Sequence, residues 1–167
     1  MYSEAMAHIH ELYDLTTSAF ILHPTLPQIL LLKHNKLNSW LQPGGHVELN
    51  EDPLEALERE LQEETGLTPD QYEILEPAEH PRPVGGNNTA LPLPFYLNVH
   101  TVSTDKNHRH IDICYLVQAK TAKLTSTPDG ASDIKWLSRS QIGQLHDANE
   151  MFPDTFQICE WVFSRRF

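Results

Sequence analysis

The stretch GHVELNEDPLEALERELQEETGL, residues 45–67, decides the reading of this 167-residue chain. Glu55, Glu58, Glu60, Glu63 and Glu64 crowd it, with Arg59 among them, directly after the turn Pro43-Gly44-Gly45. Like charges at helical spacing repel one another. A fold that gathers so many carboxylates on one short element needs a compensating charge. Hard oxygen donors of this type suit a divalent cation.

The local pattern reads as a helix with both ends marked. Asp52 is placed to cap it, Pro53 fits the first helical position, and Glu55 falls where a capping-box acid belongs. Gly66 supplies the stop. Leu54, Leu57 and Leu61 recur at helical spacing and form a narrow apolar stripe. Glu60, Glu63 and Glu64 stand at i, i+3 and i+4 and gather on a neighbouring flank. The helix is expected to bury its leucines and present three carboxylates at the edge of the buried face. Mg²⁺ or Mn²⁺ is the expected ion, since magnesium is commonly shared between a few carboxylates and substrate phosphates. The glycines upstream let backbone approach that ion closely.

These residues resemble the signature of the Nudix hydrolases: Gly, five residues, Glu, seven residues, then Arg-Glu-apolar-x-Glu-Glu-x-Gly-apolar. Gly45, Glu51, Arg59, Glu60, Leu61, Glu63, Glu64, Gly66 and Leu67 match every fixed position. The resemblance implies an α/β fold of the α+β kind, a mixed sheet held between helices. It implies metal-dependent hydrolysis of a small nucleoside diphosphate derivative at its pyrophosphate. Glu60, Glu64, Glu63 and the Gly45 carbonyl become the expected metal ligands. Glu63, Arg59 and Glu60 form the expected catalytic group, Glu63 as a further ligand or a water-activating group, Arg59 as an orienter of carboxylates with Glu51 as partner. Gly44, Glu51 and Gly66 support the signature. Asn50, where many members carry Gly, tolerates left-handed backbone; Gln42 stands where an apolar residue often precedes Pro-Gly-Gly. Asp129 and Asp133 are expected candidates for a general base outside the signature, with turn chemistry the favoured reading of Asp129.

Two other functions fit the family. One is a catalytically silent nucleotide-sensing or interaction module, against which the intact Glu60, Glu63 and Glu64 speak. The other is an isoprenoid-diphosphate isomerase, which needs a catalytic cysteine and a diverged signature.

Composition narrows the rest. The length suits one domain over residues 1–167. A formal charge of −11 disfavours general nucleic-acid binding. Cys114 and Cys159 lie in apolar surroundings and read as reduced core thiols. Glu4, Glu11 and Asp14, without a basic lead, argue against a signal peptide, and no apolar run reaches membrane-spanning length. The chain reads as cytoplasmic. Homodimers are common in the family, which makes one an expectation here.

Along the chain, a short helix is expected in residues 3–14 and strands in 17–23 and 28–33, with a polar loop at 34–39. Residues 71–77 read as a strand. The Pro-, Gly- and Asn-rich stretch 80–94 reads as a long functional loop. Residues 95–102 and 110–119 read as a hairpin, 133–137 as a strand, 138–146 as a helix with a Ser cap, and 153–166 as a terminal helix.

Ten histidines are many for this length. His100, His108, His110 and Asp112 gather at the hairpin. On a strand His110 and Asp112 share one face while Ile111, Ile113 and Tyr115 share the other. A solvated polar strand end explains this. So does a substrate or second-metal site, for which His110, Asp112 and His100 are the candidates. Substrate choice is expected in the loop 80–94 and in this strand. Pro83 lies near a position where ADP-ribose-cleaving relatives carry proline, and Trp40, Phe95 and Tyr96 are available to stack on a base.

Overall fold

Strand β1, Tyr13–Leu22, organises the molecule because its two faces are buried against different partners. Ala19 and Ile21 pack with Leu57, Leu61, Tyr115 and Val117. Phe20 packs with Leu116, Ile142, Cys159 and Val162. A strand covered on both sides reads as a continuous apolar run rather than an alternation, as Ala19-Phe20-Ile21-Leu22 does. The computed structural model describes residues 13–77, 79, 89–101, 108–125 and 131–165.

The elements that follow are β2 (Gln28–His34), β3 (Ser39–Leu41), β4 (Gly44–His46), α1 (Pro53–Thr65), β5 (Tyr72–Ile74), β6 (Tyr96–Thr101), β7 (Arg109–Ala119), β8 (Ala131–Ser138), α2 (Arg139–Asp147) and α3 (Pro153–Phe163). β1 runs parallel to β7 along its whole length, from Tyr13↔Arg109 to Leu22↔Gln118. It is antiparallel to β2 and to β4. β6 and β5 flank β7, and β3 and β8 flank β2, all antiparallel. The result is a mixed sheet with α1 on one face and α2 and α3 on the other, an α+β fold.

α1 begins where the sequence marks it. Asp52 accepts from the amides of Leu54 and Glu55, and the Asp52 amide in turn donates to the Glu55 carboxylate. It ends at Gly66, which sits in the left-handed region at φ 76°. Leu57 and Leu61 are fully buried. Their burial removes roughly 1.5–3 kcal/mol of apolar exposure each.

Several expectations shift. The stretch 34–39 is not all loop, because Ser39–Leu41 pairs with β2. The glycine turn is itself a strand, β4, paired with β1. The strand expected at 71–77 is confined to Tyr72–Ile74, after a 3₁₀ turn at Pro69–Gln71. The helix expected at 3–14 gives way at its end to β1, which already contains Tyr13 and Asp14; residues 3–12 lie outside the described residues. So do Asp129 and most of the loop 80–94, including Pro83. Among the described residues no helix is long and apolar enough to cross a membrane.

Candidate functional site

Three elements build the carboxylate site: the short strand β4, the loop to Asp52, and the flank of α1. β4 is pressed between β1 and α1, and its two glycines meet different neighbours. A Cβ on Gly45 would fall 2.6 Å from Glu60 Cδ. A Cβ on Gly44 would fall 2.6 Å from Ser18 Cα, and Gly44 holds φ 148°, which L side chains rarely adopt. A side chain at Gly45 would push the Glu60 carboxylate out of its place.

Arg59 holds the carboxylates in register. Its Nε and Nη2 clamp both oxygens of Glu51 at 2.7 and 3.0 Å. Nη1 reaches Glu60 at 2.7 Å and Glu63 at 3.4 Å. Nη2 also donates to the His46 carbonyl at 3.0 Å. A guanidinium has five N–H donors, and these contacts engage all of them. Charge partners on every side keep Arg59 ionised well above its ordinary range, the Glu51 bond being the largest cause. The same bond holds the Glu51 carboxyl below its ordinary range.

Glu64 has the opposite environment. Its Oε2 accepts the Gly44 amide at 2.8 Å. Burial, with Glu60 and Glu63 nearby, pushes its carboxyl up to about 7 against that single stabilising bond. Glu63 is the most open of the three, its side chain 62% exposed. Glu60 and Glu63 thus turn to Arg59 and Glu64 turns to the Gly44 amide, all along one flank of α1, and among the described residues their oxygens do not gather into one compact donor group. The donors are oxygens alone, the type a hard divalent cation takes, and such an ion would offset the charge that burial and its neighbours make costly on Glu64.

The reverse face of β4 carries a second cluster. Strand alternation sends His46 to the side opposite Gly45. There it meets Asp14 and His110, which are direct partners across β1 and β7. His46 Nε2 lies 3.2 Å from His110 Nε2 and 3.5 Å from Asp14 Oδ2. His108 Nε2 lies 3.0 Å from the same Asp14 oxygen. His100 faces His110 across β6 and β7, ring centroids 5.3 Å apart, and bonds Asn98. Burial and the surrounding histidines hold His110 down to about 4.

Asp112 shares the His110 face but lies beneath it, 4% exposed. It accepts from Thr16 Oγ1 at 2.9 Å, Ser18 Oγ at 2.8 Å and Cys114 Sγ at 2.9 Å. Its carboxylate is turned to the strands rather than outward. Burial and Asp112 push the Cys114 thiol well above its ordinary range. Burial pushes the Cys159 thiol up to about 12. Both cysteines are free and buried. Asp133 lies on β8, ion-paired with Lys135.

Sequence reasoning missed His46, Thr16 and Ser18. The signal for His46 was present: it follows Gly45 directly, and in a strand successive residues face opposite ways. Reading Pro43-Gly44-Gly45 as a turn, not as the start of a strand, concealed it.

The chain matches the NUDIX domain over residues 13–157. A NUDIX-family hydrolase from Clostridium perfringens of solved structure is 25% identical, with a TM-score of 0.70 over 90% of this chain and 96% of that one. A probable DHNTP pyrophosphohydrolase of Lactococcus lactis subsp. cremoris is 32% identical over 117 residues, 69% of this chain and 62% of that protein. An m7GpppN-mRNA hydrolase of Xenopus laevis, NUDT17, is 56% identical over 45 residues, 24% of this chain. The chain spans only 15% of the length of that curated relative.

Proposed function

The chain belongs to the NUDIX family, and from that premise we propose that it is a metal-dependent hydrolase of the pyrophosphate linkage in a nucleoside diphosphate derivative. The products would be a nucleoside monophosphate or another phosphate-bearing fragment. One observation carries the reading. Glu64 is a buried carboxylate beside two others, pushed up to about 7, with a single backbone amide as compensation. An arrangement so unfavourable without a cation is what a metal-and-phosphate site requires.

Glu60, Glu64, Glu63 and the Gly45 carbonyl would hold Mg²⁺ or Mn²⁺. The bound ion would polarise phosphate oxygens and offset charge that develops on them. Arg59 is a positioning residue, because its N–H groups are all engaged within the protein. It bonds Glu60 and Glu63 and ties them to the His46 carbonyl of β4. Glu63, open to solvent, is placed to orient a water. The buried, high-pKa Cys114 gives no support to isomerase chemistry that needs an accessible cysteine.

The test is a panel of nucleoside triphosphates, nucleotide sugars, ADP-ribose, dinucleoside polyphosphates and a pterin triphosphate. The last follows from the name of the Lactococcus relative. Each is incubated with Mg²⁺, Mn²⁺ or chelator, and products are identified by mass. At least one should yield metal-dependent phosphate-bearing products. No chelator-sensitive cleavage across the panel, with nucleotide binding intact, would favour the silent module instead.

A further inference from the structure

We propose that Asp14, His46, His108 and His110 form a binding site for a zinc-type transition metal, separate from the carboxylate site and mounted on the reverse face of β4. Three imidazoles and one carboxylate form a donor set unlike the all-oxygen cluster on α1. Imidazole-rich sites select zinc and its neighbours, whereas carboxylates and carbonyls select magnesium and manganese.

The spacing carries the argument. Zinc binds nitrogen and oxygen at about 2.0–2.2 Å in a tetrahedron, which sets its donor atoms about 3.3 Å apart. The separations here are 3.0 Å for His108–Asp14, 3.2 Å for His46–His110 and 3.5 Å for His46–Asp14. The donor atoms of Asp14, His108 and His110 all lie within 4.8 Å of one another. His46 adjoins this group through Asp14 and His110, so it would complete the set by a small rotation of its exposed ring. A solvated strand end gives no reason for Asp14 of β1, His110 of β7 and His108 just before it to bring their polar atoms so close together.

The backbone under the site is well anchored. Asp14 and His110 are direct partners in the parallel β1–β7 ladder, and His46 is the partner of Thr16 on the other side of β1. Beneath them Asp112 locks the two central strands through Thr16 and Ser18. Such a metal would clip the start of β1, the start of β7 and the end of β4 together. It would bear on the carboxylate site through one residue, His46, whose carbonyl is held by Arg59. The site would therefore act as a brace for the strand that carries Gly45.

Metal uptake by the full chain tests this. The chelator-treated protein, in excess Mg²⁺, is titrated with Zn²⁺ or with Co²⁺, whose visible absorption reports coordination number. One equivalent should bind, the Co²⁺ form should give an intense four-coordinate spectrum, and Zn²⁺ should raise the melting temperature. His108→Ala and His110→Ala should each weaken binding by about a hundredfold or more, and His46→Ala by at least about tenfold. Glu64→Gln, which alters the other face, should bind Zn²⁺ as the unmodified chain does. Far-UV circular dichroism checks each variant for folding; His46 and His108 are partly exposed, so their variants carry the test should His110→Ala unfold. Unchanged affinity in the folded histidine variants would overturn the site. So would loss of Zn²⁺ uptake in Glu64→Gln, or a weak six-coordinate Co²⁺ spectrum.

Discussion

Glu64 and Gly44 stand twenty residues apart in sequence and are joined by a bond from the Gly44 amide to Glu64 Oε2 at 2.8 Å. Among the described residues this bond alone opposes the burial and the neighbours that push the Glu64 carboxyl up to about 7. Because the folded value lies above the ordinary 4.5, the native state holds that proton more tightly than the unfolded chain. The associated stability is complete below about 4.5 and is lost as pH rises through about 7. It amounts to at most about 3 kcal/mol. The metal-free protein should therefore melt at a lower temperature at pH 8 than at pH 5.5. Glu64→Gln should flatten that dependence and raise the metal-free melting temperature at pH 8 by several degrees, at about 2–4 °C per kcal/mol for this size. The same variant should lose at least about a hundredfold of metal-dependent turnover. A Glu64→Gln protein with unimpaired turnover would sink the functional assignment.

Proton and cation compete for the same oxygen. Ligand carboxylates bind metal only when ionised, so metal affinity follows their titration. The apparent affinity for Mg²⁺ should hold steady above about pH 7.5 and weaken by up to about tenfold per pH unit below 7. Calorimetric titrations at pH 6, 7 and 8 check this, and proton release should accompany binding at pH 6. An affinity independent of pH across that range would mean that Glu64 is not among the ligands.

Arg59 makes one demand on chemistry that lysine does not meet. Its planar fork reaches Glu51 twice, Glu60, Glu63 and the His46 carbonyl at once. An ammonium keeps the charge but not that geometry. Arg59→Lys should fold, leave KM for the substrate near its original value, and lower kcat by about ten- to hundredfold, the range typical of groups that orient ligands. A large rise in KM with unchanged kcat would instead indicate direct substrate contact.

The two glycines of β4 fail differently. Gly44→Ala must accept φ 148° and a contact with the backbone of β1, so it should lose stability, by roughly 1–3 kcal/mol. Gly45 meets the end of the Glu60 side chain rather than backbone. Gly45→Ala should keep most of its stability and displace Glu60, so Mg²⁺ affinity and turnover fall while the melting temperature hardly moves. Thermal melts and metal titrations on both variants separate the effects.

Most of α1 was legible in the sequence, because its determinants are local. Asp52 and Glu55 close the capping box, Gly66 ends the helix, and Leu57 and Leu61 mark the buried side. The antiparallel pairing of β6 with β7 was legible for the same reason, though the register that sets His100 opposite His110 was not. The parallel pairing of β1 with β7 was not. Alternation tells which residues share a face and nothing about which strand, some 96 residues away, supplies the partner. Ser18 therefore read as an ordinary strand residue, and Thr16 and His46 carried no assignment, until the ladder brought them to Asp112 and His110. Asp112 itself read as a lining residue because its face was right, while its depth depended on that unseen neighbour.

Asp112 allows these two meanings of its face to be told apart. Three donors converge on its buried carboxylate, from Thr16, Ser18 and Cys114. Hydrogen bonds to a buried charged acceptor are among the stronger ones, and donors left without a partner each cost about 1–3 kcal/mol. Asp112→Ala should lower stability by on the order of 3 kcal/mol, a fall of about 6–12 °C in melting temperature. Asp112→Asn keeps the shape but turns an amide N–H toward one donor, so it should lie between. Ser18→Ala removes one donor and leaves the carboxylate with two, so its effect should be smaller than either. If Asp112 instead binds substrate, Asp112→Asn will raise KM sharply with little change in melting temperature. Melts and Michaelis constants measured on the same three variants decide the matter, because burial under the strands and exposure to substrate move opposite readouts.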